Sequence, residues 1–339
     1  MDRSEGISVI VCCYNSAERI TPTLEHLFRQ EVGGKFSWEI IVVDNNSSDE
    51  TAKKSTALYE QSGSSIPFKV ISEPHPGLSN ARQAGFDASK YEIVLMVDDD
   101  NWLSSNYVNG IWNAFQSDSS IGMVGGLGVP ELSGQAPDWF ERYAYCYATG
   151  PQTEDGKAGF TEHLYGAGLA LKLSVLDHLK DNGFSSLLSD RIGNSLMSGG
   201  DTELCFAFRM AGAKLFYEPS ITFQHELPQG RIKWSYLRRL FHGFGLTKSR
   251  MDIYTACIQG KPMPVDGRLP FWFNRAYFLW KNLLKDRWML FRSKFSEMEG
   301  NDELLVALAK KGQIEGIVSM RSDYISNYKQ VYNLQERLK

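Results

Sequence analysis

The chain lacks the features that would settle its class at once. No run of 18 apolar residues occurs in its 339 positions, so no membrane-spanning helix is expected. Cysteine is scarce: five residues, too scattered for a disulfide framework, with Cys12 and Cys13 adjacent in an apolar run that suits a reducing cytoplasm. Charge of one sign is not in excess, since 36 Lys and Arg stand against 40 Asp and Glu, and the net charge of −4 argues against a general nucleic-acid binder. No Gly-x-Gly-x-x-Gly follows the first strand-like run, where Cys13-Tyr14-Asn15-Ser16 stands instead, which counts against a dinucleotide-binding domain. No leader-like segment is expected before that run, and no internal repeat or low-complexity tract is present. A hydrophobic fraction of 42% with 22% charged residues is globular and excludes collagen-like and wholly disordered chains.

What is present is unevenly distributed. Residues 229–294 carry a local charge of +11, leaving −15 for the rest of the chain. The same segment holds Trp234, Trp272, Trp280 and Trp288, half of the eight tryptophans. An acidic body and a basic, aromatic C-terminal region are therefore expected.

The body alternates two periods. Apolar runs at 7–13, 39–43, 68–72, 92–97 and 121–126 read as buried strands. Between them, 19–30, 49–61, 78–88 and 104–116 read as amphipathic helices. Short buried strands alternating with helices predict parallel βαβ units covered on both faces. Beyond residue 128 the pattern loosens: a loop-rich stretch to 159, a strand at 163–171, a helix at 174–182, a polar loop at 185–200, a helix at 202–211, and short strands at 214–217 and 221–224. After Trp234 everything reads as helix.

In open parallel sheets ligands sit beyond the carboxyl ends of the strands, so chemistry is sought there. Three polar strand ends qualify: Tyr14-Asn15 with Glu18 close behind, Asp44-Asn45-Asn46-Ser47-Ser48-Asp49, and Asp98-Asp99-Asp100-Asn101. Three consecutive carboxylates repel one another and resist burial unless a cation compensates them. Oxygen ligands suit Mg²⁺ or Mn²⁺, and alternation along an extended chain lets Asp98 and Asp100 share a target. Asp44 offers a hydrogen-bond acceptor for a base or ribose, or else an Asx-turn. Asp201, after Gly199-Gly200 at the start of a helix, is either a helix cap or a substrate-facing carboxylate.

Taken together, Ile7–Val11 with Tyr14-Asn15, Val42–Asp49, the arginine-bearing helix Gly77–Gly85, Val97–Asp100 and Gly199–Leu204 with Arg209 and Gly212 resemble the ordered motifs of family 2 glycosyltransferases with the GT-A fold. The resemblance covers about residues 6–226. It implies an α/β, Rossmann-like, mostly parallel sheet flanked by helices, here with a helical C-terminal extension. It also implies an inverting, metal-dependent transfer from a nucleotide-diphosphate sugar. Asp44, helped by Tyr14, Asn15 and Glu18, would take the nucleobase, for which UDP is favoured. Arg82 would lie near the base or diphosphate. Asp98 and Asp99 would sit on the donor side, Asp100 with Asp98 and His225 on Mn²⁺ or Mg²⁺, and Asp201 would be the general base. The sequence departs from many members in having Gly200 where they carry Glu; Glu203 could stand in for it.

Other readings stay open. A sugar-nucleotide nucleotidyltransferase would normally carry a basic Gly-rich loop after the first strand, which this chain lacks. A non-catalytic sugar-binding protein on the same scaffold would not need Asp98, Asp100 and Asp201 together. Gly166-Ala167-Gly168, with Tyr165 or Trp139 as a stacking face, could leave room for an acceptor or could be close packing. Arg231, Arg238 and Arg239 could screen a diphosphate, and His242-Gly243-Phe244-Gly245 could hinge a gate. Between 268 and 292, Phe273, Ala276, Tyr277, Trp280, Leu284, Trp288 and Phe291 recur at helical spacing beside six Lys or Arg. That stripe would either dock on its own domain or lie on an anionic membrane surface. A saccharide or lipid-linked saccharide acceptor, a role in surface polysaccharide or glycolipid synthesis, and a cytoplasmic place at the inner face of the cell membrane follow as expectations.

Overall fold

The computed structural model describes residues 3–188 and 199–339. It divides into two compact units: Met1–Ser133, Arg142–His178 and Ala207–Leu227 form the first, and Gly134–Glu141, Leu179–Phe206 and Pro228–Lys339 the second. The last passage from the first unit to the second is at Leu227/Pro228. The second unit also takes in two earlier segments, one of which carries Asp201.

The first unit is built on β1 (Ser4–Cys13), β2 (Trp38–Asp44), β3 (Phe68–Ser72), β4 (Tyr91–Asp98), β5 (Asn101–Leu103), β6 (Ile121–Leu132), β7 (Gly159–Thr161), β8 (Ala170–Lys172) and β9 (Lys214–Leu227). The sheet order is β3-β2-β1-β4-β8-β6-β9-β5, with β7 on β9. From β3 to β4 every pairing is parallel, as the alternating pattern predicts. Beyond β4 the sheet is mixed: β8 runs antiparallel to both β4 and β6, whereas β6 and β9 are parallel. The expected strand at 163–171 contracts to β8. The two short strands expected around Pro219 are one long strand, β9, whose pairing with β6 shifts register between Gly126 and Leu127. That irregularity absorbs the break that the residues after Tyr217 impose on the apolar pattern.

Helices α1 (Ile20–Phe28), α2 (Thr51–Ser62), α3 (Leu78–Ala88) and α4 (Tyr107–Ser117) link the early strands. Ile7, Val9 and Val11 of β1 are fully buried and share a core with Ile20, Leu24 and Leu27 of α1, whose spacing puts all three on one helix face. Gly63, at φ +64°, ends α2 in the left-handed conformation that glycine adopts without strain. Two further helices are α5 (Leu173–Asp181) and α6 (Gly200–Met210).

The second unit is helical: α7 (Trp234–Ile258), α8 (Phe271–Leu283), a 3₁₀ turn (Leu284–Asp286), α9 (Arg287–Arg292), α10 (Asp302–Ser319) and α11 (Tyr324–Leu338). Among the described residues no helix is long and apolar enough to cross a membrane. Helices α7 and α10 touch along a line of small residues. A Cβ on Gly245 would stand 2.0 Å from the Ala309 carbonyl oxygen, and one on Gly312 2.1 Å from that of His242. Residues 242–245 therefore form the contact face of a continuous helix and do not hinge a gate; His242 is also tied to Glu315 at 2.7 Å. Of the polar loop expected at 185–200, positions 189–198 lie outside the described residues.

Candidate active site

The parallel strands deliver carboxylates to one level of the first unit. In register Cys13 faces Asp44 and Cys12 faces Asp98, so the two acids leave the sheet on either side of β1. At the usual strand spacing they stand about 10 Å apart. Strand β5 turns back at once, and Asn101 pairs with His225 of β9, which brings the histidine to the acid triplet.

The triplet splits by direction. Asp99 turns inward: its carboxylate accepts from the Ser16 hydroxyl and pairs with Arg19 at 2.8 Å, while its carbonyl accepts from Thr23 Oγ1. It anchors the start of α1 to the end of β4. Asp98 and Asp100 are held together by Asn101, whose Oδ1 accepts from the Asp98 backbone N–H and whose Nδ2 donates to Asp100 Oδ1, both at 3.2 Å. Burial, then repulsion from Asp100, pushes the Asp98 carboxyl above its ordinary value; Arg82 and His225 act in the opposite direction. Arg82, half-buried on α3, thus lies close enough for its charge to be felt at Asp98.

His225 is oriented by a neighbouring backbone group. Its Nδ1 lies 2.7 Å from the Tyr147 carbonyl, which can only accept, so Nδ1 carries the proton. The other nitrogen, Nε2, faces Asp100 Oδ1 at 3.7 Å. An imidazole nitrogen turned toward a carboxylate can share a proton or a cation with it. Hard oxygen donors with one imidazole fit Mn²⁺ or Mg²⁺. Among the described residues no three His, Cys, Asp or Glu side chains form a metal cage. Such a site suits a cation that takes further oxygens from substrate phosphates and water.

The loops after β1 and β2 brace each other. Asn15, in left-handed conformation at φ +49°, accepts from the Ser48 N–H at 2.8 Å, and its own N–H donates to Ser47 Oγ. Asp49 accepts from the Ala17 N–H. Asp44 Oδ1 accepts from the Ser47 N–H at 3.1 Å, so the Asx-turn is real, and it occupies one carboxylate oxygen only. Asp44 also borders a shallow cleft of about 300 Å³ with Lys53, Thr56 and Ser72. Tyr14 and Glu18 are exposed at the loop between β1 and α1. Asn45, which the sequence reading left without a role, ties this edge to α3: its Oδ1 accepts from the Gly77 N–H and its Nδ2 donates to the His75 carbonyl.

Asp201 belongs to the second unit. Helix α6 already begins at Gly200, and Glu203 N–H bonds to the Gly199 carbonyl at 2.8 Å, so Asp201 lies in the first turn and not at the cap. Glu203 does not stand in for the missing glutamate. It is buried and accepts from the Ser186 hydroxyl, the Leu187 N–H at 2.7 Å and the Tyr254 hydroxyl at 2.8 Å. Trp139 is likewise no sugar platform: it is buried, packs edge-on to Trp234 and donates to Glu299. Gly168, at φ +65°, is close packing, since a Cβ there would meet the Tyr107 hydroxyl at 2.5 Å. Arg238 donates to the Ser293 carbonyl and is committed to the second unit's own packing.

Residues 8–168, which carry the strand-end acids from Asp44 to Asp100, match the sequence profile of Glycosyl transferase family 2. That stretch is a family 2 glycosyltransferase domain. This glycosyltransferase is 22% identical over 260 residues to a glucosyl-dolichyl phosphate glucuronosyltransferase of Haloferax volcanii, an alignment covering 73% of this chain and 77% of the relative. It is 31% identical over 123 residues to a poly-beta-1,6-N-acetyl-D-glucosamine synthase of Staphylococcus epidermidis, covering 36% of this chain but only 28% of the synthase. Among solved structures, the mannosyltransferase PcManGT from Pyrobaculum calidifontis, in complex with GDP-Man and Mn²⁺, superposes with a TM-score of 0.52 at 16% identity, covering 100% of this chain and 88% of that one. The glycosyltransferase has the GT-A fold.

The residues that the sequence reading missed are the holders: Ser16, Arg19, Asn101 and the Tyr147 carbonyl. Asn101 and Ser16 flank motifs already singled out, and their adjacency was the available signal. A backbone carbonyl 78 positions from His225 leaves none.

Proposed function

We propose that this glycosyltransferase moves a hexosyl group from a nucleotide-diphosphate sugar to a hydroxyl of a saccharide or lipid-linked saccharide, with inversion at the anomeric carbon, in surface polysaccharide or glycolipid synthesis. The observation that carries the reading is the convergence of Asp98, Asp100, His225 and Arg82 at one end of the sheet, with Asp44 at the same level across β1. The relatives' names, a glucuronosyltransferase acting on a dolichyl phosphate sugar and a polysaccharide synthase, support the acceptor classes.

Asp100, Asp98 and Nε2 of His225 would hold Mn²⁺ or Mg²⁺; the Pyrobaculum neighbour was crystallised with Mn²⁺. When bound, such a cation neutralises the charge that builds on the leaving diphosphate. Arg82 adds a fixed positive charge beside it. The free oxygen of Asp44 accepts a pyrimidine N–H, which favours UDP, although the neighbour's GDP-Man shows a purine donor on the same fold. Asp201 takes the acceptor proton as the acceptor oxygen bonds to the anomeric carbon and the bond to the diphosphate breaks. Asp99 positions and makes no donor contact. The two divisions, a 1–226 catalytic body and a basic 227–339 region, are proposed as functional regions. A cytoplasmic site at the inner face of the cell membrane accords with five free cysteines.

Turnover measured over a panel of UDP-, GDP-, dTDP- and CDP-sugars tests this reading. Activity is expected with a UDP-sugar and divalent cation, and lost on chelation. Asp201→Asn should lower kcat by about two to four orders of magnitude while donor binding holds. Full activity in chelator, or donor affinity that collapses while kcat holds, would refute the respective assignment.

A further inference from the structure

The segment after Gly267 carries two apolar stripes, and only one of them is covered. The inner stripe faces the second unit: Ala276 is buried, and Leu279, Leu283 and Leu290 are partly so. Around it the helices are pinned by polar contacts, Arg275 to Asp252 at 3.3 Å and Lys310 to Asp286 at 3.3 Å, and by Phe271 packed on Tyr324 and Tyr328. The segment is therefore docked on its own unit.

The outer stripe is left bare. Phe273, Tyr277, Trp280 and Leu284 follow one another at spacings of four, three and four residues. Trp288, Phe291 and Phe295 continue the line through the 3₁₀ turn into α9 and beyond. All seven are exposed, Trp288 to 67% and Phe295 to 79%. The rings form ladders: Phe273 stacks on Tyr277 and Tyr277 on Trp280, with Phe291 edge-on to both Trp288 and Phe295. An apolar row this long on the surface of a water-soluble unit marks a contact face.

The charges around it select the occupant. Lys281, Lys285, Arg287, Arg292 and Lys294 are all exposed along the row, and Asp286, the acid among them, is already paired with Lys310. Two copies of this chain meeting stripe to stripe would set these cations against one another. A nucleic acid would satisfy them but leave the aromatic row in water. An anionic bilayer satisfies both: aromatic rings at the headgroup boundary, ammonium and guanidinium groups among the phosphates. We infer that the outer stripe of 273–295 is a docking face for an anionic lipid surface, on which the enzyme lies without spanning. The inference goes beyond the transfer reaction and does not rest on it.

The test uses the full chain and no sugar substrate, so it fails or holds independently of the catalytic reading. Vesicles of phosphatidylcholine and phosphatidylglycerol at 3:1 are compared with pure phosphatidylcholine by cosedimentation. At least tenfold tighter binding to the anionic vesicles is expected at 0.1 M NaCl, weakened several-fold at 0.5 M. Trp280→Ser with Trp288→Ser, two exposed positions, should abolish binding without lowering the melting temperature. Lys281→Glu with Lys285→Glu should remove the preference for the anionic vesicles. Equal binding to both vesicle types, binding retained by the tryptophan variant, or lipid-free association in sedimentation velocity that the tryptophan variant abolishes would overturn the inference.

Discussion

Asp99 and Asp100 are neighbours in sequence with opposite surroundings, and single substitutions should separate them. Asp99 is met by Ser16, Arg19 and the packing beneath α1, so Asp99→Ala leaves the Ser16 hydroxyl and the Arg19 guanidinium without their acceptor. A cost of about 1–3 kcal/mol is expected, held toward the low end because Arg19 is half-exposed. Asp100→Ala removes one carboxylate from a repelling pair with Asp98, so stability should hold or rise while metal-dependent transfer is lost. Denaturation midpoints and kcat measured on both variants check this. A folded but inactive Asp99→Ala enzyme of unchanged stability would reverse the two roles. The triplet was legible in the sequence as chemistry; alternation also implied that Asp98 and Asp100 differ from Asp99. Which side faced inward was not legible, because Ser16 and Arg19 lie more than 75 positions away and meet Asp99 only through the β1–β4 pairing.

Among the elements, the parallel half of the sheet followed from its pattern because β1, β2 and β4 are largely buried on both faces and read as apolar runs, with half-buried β3 at the end of the row. The second half resisted the same reading. β8 has three residues, and β9 combines an alternating, half-exposed pattern with Pro219, so periodicity alone divides it. Helix α6 shows the same limit at its first turn, where Asp201 looked like a cap and Glu203 like a substrate group. Burial pushes the Glu203 carboxyl above its ordinary value, while its bonds from Ser186, Leu187 and Tyr254 act in the opposite direction. A raised acid in the folded state means that the folded chain keeps its proton while the unfolded chain has lost it. Stability therefore falls as pH rises through the ordinary glutamate value toward the folded one, and stays at the lower level above it. Each unit of elevation corresponds to about 1.4 kcal/mol. Glu203→Gln keeps an acceptor for Tyr254 and cannot titrate. Urea denaturation at pH 4.5 and pH 8 should show the variant gaining on the parent enzyme at the higher pH. A variant that loses ground between the two would show that the hydrogen bonds outweigh desolvation.

At the scale of the whole molecule, the residues proposed for the donor side, 44, 82, 98, 100 and 225, all belong to the first unit, whereas Asp201, the proposed base, belongs to the second. Motif order in the sequence implied this set, but only strand pairing brings His225 beside Asp100, and the division into two units could not be read from charge because residues 179–206 carry no compositional mark. The division makes a thermodynamic separation possible. A ligand that binds only the folded enzyme raises its stability by about 2.7 kcal/mol at a hundred times its Kd. For a chain of this size that is a rise of about 4 °C in melting temperature. UDP with Mn²⁺ should produce such a shift in the parent enzyme, and Asp100→Ala should lose most of it. Asp201→Asn should keep the full shift while it loses turnover, because as the proposed base its carboxylate would meet the acceptor and not the nucleotide. Differential scanning calorimetry of the three proteins, with and without UDP and Mn²⁺, makes the comparison. Loss of the shift in Asp201→Asn would move that residue from the acceptor side to the donor side. An undiminished shift in Asp100→Ala would take the cation away from the end of β4.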